Sequence, residues 1–394
     1  MTDHPIIRLR PKARFRRYDS PWAFVDQIVL DRRSKALAPG TVVSLQDSER
    51  RDLAVATVNP ASKIAIRVLD WDPEAVIDRG WLEARLLHAL ALRERLFKAP
   101  FYRLIHAEGD GLPGVIIDRF GDVAVIQPNA AWAEAMWHDL TAALTAVTGV
   151  TTIVKNASGR ARALEGLDED SAVTHGAVSE LIPVPMNGAT YMADLLGGQK
   201  TGLFYDQRPN HAFAARLAKG GDMLDVFSHV GGFSLAALAG GAASALAVDG
   251  SAAALELAEK GAEASGVSER FHTRQGDAFA VMAALEEEGA RFDVVVCDPP
   301  AFAPHKGALE AGLRAYEKVA KAGAALTKPG GYLVLCSCSH AADLDKFRTA
   351  SLRGVGRARR AAQLIATGAA GPDHPVHSAL AETSYLKAIF LRLD

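Results

Sequence analysis

The stretch Met223-Leu224-Asp225-Val226-Phe227-Ser228-His229-Val230-Gly231-Gly232-Phe233-Ser234 decides the fold. An apolar strand carries an aspartate near its end, two glycines make a tight turn, and an Ala-rich helical run begins. Glycines there let the backbone approach a ligand, and a helix N-terminus favours a negative group. The pattern is not G-x-G-x-x-G, whose three glycines serve a pyrophosphate. Outward from it, short apolar strands at 244–249, 271–274, 292–297 and 332–336 alternate with Ala-rich helical stretches. That βαβαβ order predicts a parallel sheet with helices on both faces, from about residue 186 onward.

Each of the first four strands leads into an acidic residue: Asp225, Asp249 (18 residues after Gly231), Asp277 and Asp298. An aspartate at such a place ordinarily caps the next helix. Four in register instead line the crevice where open α/β sheets bind ligands. Asp249 is placed to hold both ribose hydroxyls, and Asp277 to reach an adenine amine. An adenosine ligand without phosphates, S-adenosylmethionine, suits such acidic contacts better than NAD does. The expectation is α/β: a Rossmann-like class I methyltransferase domain.

The cysteines Cys297, Cys336 and Cys338 cluster in the last quarter, with no spacing suited to a disulfide framework or to zinc. Cys297 and Cys336 belong to apolar strands and read as packed thiols. Cys338, between Ser337 and Ser339 at a strand mouth, reads as exposed. Asp298-Pro299-Pro300-Ala301-Phe302 lies at the neighbouring strand end, where tandem prolines fix the backbone. A methyltransferase needs a thiol when the target is C5 of a pyrimidine, because a thiolate adding to C6 makes C5 nucleophilic. Asp298 would then bond the N3/N4 edge of cytosine. Methylation of nitrogen needs no thiol.

The 394 residues argue for two or three domains, and 49 % apolar with 23 % charged residues excludes disorder and low-complexity scaffolds. No run reaches a membrane span, and no apolar segment follows the basic N-terminus, so a cytoplasmic protein without a membrane partner or a metal is expected. The net charge of −2 hides an asymmetry: residues 1–70 carry 13 Lys/Arg against 8 Asp/Glu. Arg8, Arg10, Lys12, Arg14, Arg16 and Arg17, then Arg32, Arg33 and Lys35, supply much of it, which suggests a polyanion partner. Strands read at 6–9, 23–25, 40–45, 53–58 and 64–69 predict a small β-barrel. A helix follows at 81–96, and strands at 102–106, 115–118, 122–127 and 151–156, with a helix at about 130–147, make an α+β insert.

At this point the chain resembles the bacterial 23S ribosomal RNA large-subunit cytosine-C5 methyltransferases, along essentially its whole length. Pro21-Trp22-Ala23-Phe24 and Asn59-Pro60-Ala61-Ser62 match that family's PUA domain, an RNA-binding β-barrel. Gly109-Asp110-Gly111-Leu112-Pro113-Gly114 with Ile117-Asp118-Arg119-Phe120 match its central domain. Lys200-Thr201-Gly202, Asp206-Gln207-Arg208, Phe227-Ser228, Gly231-Gly232-Phe233, Asp298-Pro299-Pro300 with Phe302, Ser337-Cys338-Ser339, Asp373-His374-Pro375-Val376 and Tyr385-Leu386-Lys387 follow in order. Each tripeptide is weak alone; the ordered set is specific.

The resemblance implies a PUA domain at 1–72, a central α+β domain at 73–185 and a methyltransferase domain at 186–394. It implies Cys338 as nucleophile, Asp298 in catalysis, and a cofactor site of Asp225, Phe227, Ser228, Gly231, Gly232, Asp249, Asp277 and Asp298, with Gln207 and Arg208 shaping the pocket. The implied partner is ribosomal RNA, and a homodimer is considered. His229-Val230 and Ala301 depart from the family's usual residues, and no second cysteine follows Asp298-Pro299-Pro300. Two alternatives stay open: methylation of a purine nitrogen with Cys338 structural, and a non-catalytic RNA-binding factor. Arg353, Arg357, Arg359 and Arg360 read equally as an RNA contact or a solvated face, His374 as structural, and Trp132 and Trp137 as core residues of one helix.

Overall fold

A computed structural model describes residues 4–394 except 14, 16, 17, 19 and 198–201, so Arg14, Arg16, Arg17, Lys200 and Thr201 lie outside the described residues. The chain divides into two compact units, one of residues 1–180, 195–202 and 372–383, the other of 181–194, 203–371 and 384–394.

In the first unit, β1 (Ile6–Leu9), β2 (Trp22–Phe24), β3 (Ile28–Val29), β4 (Thr41–Gln46), β5 (Asp52–Val58) and β6 (Ile64–Asp70) form a mixed sheet in the order β2-β6-β5-β4-β1-β3. Alternation does the work. Ile7 and Leu9 are buried while Ile6 and Arg8 face out, and the inner side joins Ile28, Val43, Leu45 and Ile66 in one core. The two-residue β3 is too short to show an alternation and is not evident in the sequence.

After α1 (Arg79–Leu96), β7 (Phe101–His106), β8 (Val115–Phe120), β9 (Val123–Pro128), β10 (Thr152–Lys155) and β11 (Ala172–His175) make a second sheet, ordered β11-β10-β9-β8-β7. The single helix expected at 130–147 is two, α2 (Ala131–Ala135) and α3 (Trp137–Thr148), broken at Met136. The break lets Trp132 turn inward, fully buried, with Nε1 donating to the Pro113 carbonyl at 2.8 Å. Short α4 (Arg160–Glu165) supplies Glu165, which Arg67 meets at 3.0 Å while also meeting Glu108 at 3.1 Å. Arg67 thereby ties this N-terminal sheet, which takes the place of the expected small barrel as an open strand order, to the central sheet.

The second unit begins with a hairpin of β12 (Ile182–Met186) and β13 (Ala189–Ala193), then α5 (Arg208–Leu217). Its main sheet holds β14 (Asp222–Val226), β15 (Ser244–Asp249), β16 (Phe271–Gln275), β17 (Phe292–Cys297), β18 (Thr327–Ser337), β19 (Ala362–Gly368) and β20 (Lys387–Leu393) in the order β16-β15-β14-β17-β18-β20-β19. The first five are parallel, linked by α6 (Gly232–Ala239), α7 (Ala252–Ala264), α8 (Ala278–Glu287) and α9 (Leu309–Leu326). The all-parallel expectation stops there. After α10 (Leu344–Arg357), β20 runs antiparallel to β18, and β19 antiparallel to β20. Successive strands move outward from β14 to one side and then from β17 to the other, so a ligand crevice opens at the carboxyl ends of β14 and β17.

Candidate active site

Asp225 is fully buried, and its Oδ2 accepts from Ser234 N at 3.0 Å and Ser234 Oγ at 2.9 Å, pinning the start of α6 to the end of β14. Burial pushes its pKa up to about 6, against those two bonds and with added repulsion from Asp249. The turn between them is sharply folded. Phe227 (φ 65°), His229 (φ 50°) and Gly231 (φ 76°) all take left-handed backbone. Two non-glycine residues there cost about 1–3 kcal/mol each, and such strain persists only where neighbours fix it. Here Ser228 N donates to the Val248 carbonyl at 3.0 Å and His229 N to Asp249 Oδ2 at 2.8 Å. His229 packs on Phe204, ring centroids 4.9 Å apart. Gly232 has no room for a side chain, since a Cβ would lie 2.7 Å from the His211 ring.

Asp249 Oδ1 accepts from Ser251 N at 2.8 Å, so each oxygen of the half-buried carboxylate holds one backbone N–H. Asp277 is exposed and caps α8 through Ala280 N at 3.0 Å, the ordinary work of such an aspartate. At the crevice, Asp225 Oδ1 and Ser228 Oγ are buried and lack a hydrogen-bond partner among the described residues. An acceptor and a hydroxyl left over beside a strained glycine turn fit the ammonium and carboxylate of a methionine moiety, and Asp249 fits the ribose of an attached adenosine.

Asp298, half-buried after β17, accepts from Gln207 Nε2 at 2.9 Å, while Gln207 Oε1 takes a bond from Asn210 Nδ2 at 2.6 Å. Arg208 opens α5 with its guanidinium 5.2 Å from the centre of the Tyr205 ring. Gln207 therefore holds Asp298 in place, and Asn210, which the sequence did not single out, holds Gln207.

Of the three cysteines, Cys297 and Cys336 are buried, and burial pushes both thiols up, leaving them protonated; Cys338 is half-buried. The residues around Cys338 are fixed from below. Ser337 Oγ donates to Tyr316 Oη at 2.8 Å, Tyr316 Oη and Ser339 Oγ are 2.7 Å apart, and Ala303 N donates to Ser339 Oγ at 2.9 Å. Lys387 Nζ donates to the Ser339 carbonyl at 2.6 Å. Tyr316 does not stand out in the sequence, and Lys387 does so only as the last residue of the Tyr385-Leu386-Lys387 motif, with no role attached. Tyr316 sits in an amphipathic helix without a distinguishing neighbour, whereas the charge of Lys387 at the head of the apolar run 388–391 was a signal.

The basic run on α10 and just beyond it separates. Arg360 donates to the Ala324 and Thr327 carbonyls and pairs with Asp394, a structural role. Arg357 pairs with Glu317 at 2.6 Å and, with Arg314, Lys318 and Lys321, lines an open cleft of about 320 Å³ between α9 and α10. In the first unit, His374 is buried, bonded to Asp373 at 3.0 Å and packed 5.0 Å from the His106 ring; burial drives the His106 pKa down to about 2. His106 is thereby a neutral packing group. Among the described residues no cluster could hold a metal, and no helix is long and apolar enough to cross a membrane.

Residues 130–373 match the family model described as S-adenosylmethionine-dependent methyltransferase, and residues 7–71 match a PUA-like domain. The chain is 34 % identical to ribosomal RNA large subunit methyltransferase I of Erwinia tasmaniensis, over 98 % of each chain. It is 33 % identical to the ribosomal RNA large subunit methyltransferase of Deinococcus radiodurans, over 95 % of this chain and 93 % of that one. A SAM-dependent methyltransferase structure from Streptococcus mutans shares the fold at a TM-score of 0.81 and 19 % identity, covering 98 % of this chain and all of that one. A second methyltransferase structure, complexed with SAH, superposes equally well. A model match over more than half the chain, and relatives a third identical along nearly all of it, place this chain in the ribosomal RNA large subunit methyltransferase I family of S-adenosylmethionine-dependent enzymes.

Proposed function

We propose that this enzyme forms 5-methylcytosine in large-subunit ribosomal RNA through a transient bond between Cys338 Sγ and cytosine C6. The observation that carries the reading is the state of the cysteines: Cys338 alone is not buried, and it follows β18, the strand paired with the one that presents Asp298. S-Adenosylmethionine, when bound, supplies the methyl group on a sulfonium. The crevice of Asp225, Phe227, Ser228, Gly231, Gly232, Asp249 and Asp277 would hold it, with Gln207 and Arg208 at the pocket wall.

Cytosine C5 is too weak a nucleophile to take that methyl unaided. Addition of the Cys338 thiolate to C6 makes C5 an enamine carbon, which accepts the methyl group. The C5 proton then leaves to a base, and the Sγ–C6 bond breaks as the ring recovers its aromaticity. Asp298 accepts from the N4 amine and shares a proton with N3, where charge builds in the adduct; Gln207 keeps it aimed. The cytosine must leave its stack to reach a half-buried thiol. The PUA-like domain (1–72) and the central domain (73–185) would position structured RNA in the cytoplasm, and the cations of the α9–α10 cleft would add phosphate contacts.

The test is adduct trapping on RNA containing 5-fluorocytidine with S-adenosylmethionine. Fluorine cannot leave C5 as a proton does, so the parent enzyme should give a denaturation-resistant band that Cys338→Ala loses. Methyl transfer that survives this substitution, with no band, would move the target to a purine nitrogen.

A further inference from the structure

Lys387 begins β20 opposite Ser337 on β18, and the next residue along β18's path is Cys338. It is only 8 % exposed, in a strand whose next residues, Ala388, Ile389, Phe390 and Leu391, are all buried and apolar. Burying an ammonium is costly unless it is bonded and balanced by negative charge. One N–H donates to the Ser339 carbonyl at 2.6 Å, and no carboxylate among the described residues lies within ion-pair distance of Lys387. A neutral carbonyl bonds the ammonium without balancing its charge. The thiol one residue before that carbonyl is the group whose ionisation would.

We propose that Lys387 is the positioning residue for catalysis at Cys338: its buried ammonium holds the nucleophile as a thiolate and fixes the Ser337–Ser339 segment by gripping the Ser339 carbonyl. This rests on the covalent reading above and deepens it. The thiol proton passes to solvent and the ammonium stays protonated throughout, so nothing is consumed. Burial pulls the Lys387 pKa down, and the Cys338 charge pulls it back up more than Asp343 does, consistent with the sulfur as its main electrostatic partner. The arrangement also answers a difficulty in the mechanism. The Ser337–Tyr316–Ser339 hydroxyl network fixes the backbone on both sides of the sulfur but brings no charge to it. Among the described residues, the titratable groups that face this mouth include Tyr316 from α9, Asp298 after β17, His340 and Asp343 after β18, and Tyr385 before β20. Of these the carboxylates raise a thiol pKa, and Tyr316 is itself pushed up by burial and by the Cys338 charge. Lys387 brings the positive charge that these hydroxyls and carboxylates lack.

The readout is the pH dependence of Cys338 alkylation by iodoacetamide in the full-length protein, followed by peptide mass, with buried Cys297 and Cys336 as internal controls. In the parent protein the midpoint should lie at least one pH unit below the ordinary thiol value of about 8.5. Lys387→Gln should raise it by about one unit and slow alkylation at pH 7 roughly tenfold, Lys387→Arg should restore it, and the acid limb of methyl transfer should move with it. A parent midpoint at or above the ordinary value overturns the proposal even if Lys387→Gln fails to fold. So does an unchanged midpoint in a folded Lys387→Gln protein. Alkylation involves no RNA, so a missing 5-fluorocytidine adduct with a low parent midpoint would instead sink the cytosine-C5 reading alone.

Discussion

Asp225 does two jobs with one carboxylate. Oδ2 caps the turn into α6 through Ser234, and Oδ1 is left buried without a partner among the described residues, where the proposed site would put the cofactor ammonium. Its folded pKa of about 6 stands above the ordinary 3.8, so the fold favours the protonated form. The contribution to stability is fully present below pH 4 and is lost as pH rises through 6, amounting to about 3 kcal/mol. Asp225→Asn should therefore melt at a higher temperature than the parent at pH 7.5, with the difference fading by pH 4. Cofactor binding pulls the other way, because an ammonium favours the ionised form. S-Adenosylhomocysteine affinity, measured by calorimetry, should fall as pH drops below about 6 in the parent, and should be weaker and flat in Asp225→Asn. The same pH profile in both proteins would remove Asp225 from the cofactor site. Gly232 is a second constraint at this scale. Gly232→Ala should cost about 1–3 kcal/mol in denaturant unfolding, because its methyl meets the buried His211 ring, and His211→Ala should recover part of that loss.

Among elements, what the sequence discloses depends on whether the pattern is local. Strands β14, β15 and β17 are continuous apolar runs because helices cover both faces, and such runs stand out without any partner in view. The carboxylates at their ends are equally legible, since strand end and turn are adjacent in sequence. β19 and β20 are not: β20 finds its place only by pairing with β18, about 50 residues earlier, and β19 only by pairing with β20. The β12–β13 hairpin was announced by Asn187-Gly188, both at positive φ, a dipeptide that favours a tight hairpin turn, but the short flanking strands hid it. Within the site, Cys338 and Asp298 are read from their own neighbours, whereas Tyr316 and Lys387 reach Cys338 from α9 and β20. The α9–α10 contact is a further non-local feature. A Cβ at Gly354 would overlap the Glu317 carbonyl oxygen, one residue from Tyr316. Gly354→Ala should part the two helices, lower the unfolding free energy from denaturant titration by roughly 1–3 kcal/mol, and reduce methyl transfer through Tyr316. A variant with parent stability and activity would show that α9 does not transmit to Ser337 and Ser339.

For the whole molecule the question is how a chain of net charge −2 holds a polyanion. The charge must be segregated, and beyond the basic N-terminal module the methyltransferase unit has its own positive face. Arg314, Lys318 and Lys321 project from α9 beside Arg357 of α10, with Glu317 the one acid in the cleft and already paired with Arg357. Lys318 lies over the Phe279 ring at 4.3 Å, which leaves Arg314 and Lys321 as the cations less committed to the protein itself. RNA affinity measured against salt should fall linearly on logarithmic axes, because each phosphate contact releases condensed counterions. Replacing Arg314 and Lys321 with Ala should weaken binding similarly across RNA sequences and reduce the magnitude of the slope by about one per lost contact. S-Adenosylhomocysteine affinity should not change, since neither residue belongs to the cofactor crevice. An unchanged slope would confine the phosphate contacts to other surfaces and make the α9–α10 cleft a solvated helix face. A smaller slope together with an intact cofactor site would mean that the unit performing the chemistry also grips the RNA backbone, so that recognition is shared with the PUA-like domain rather than delegated to it.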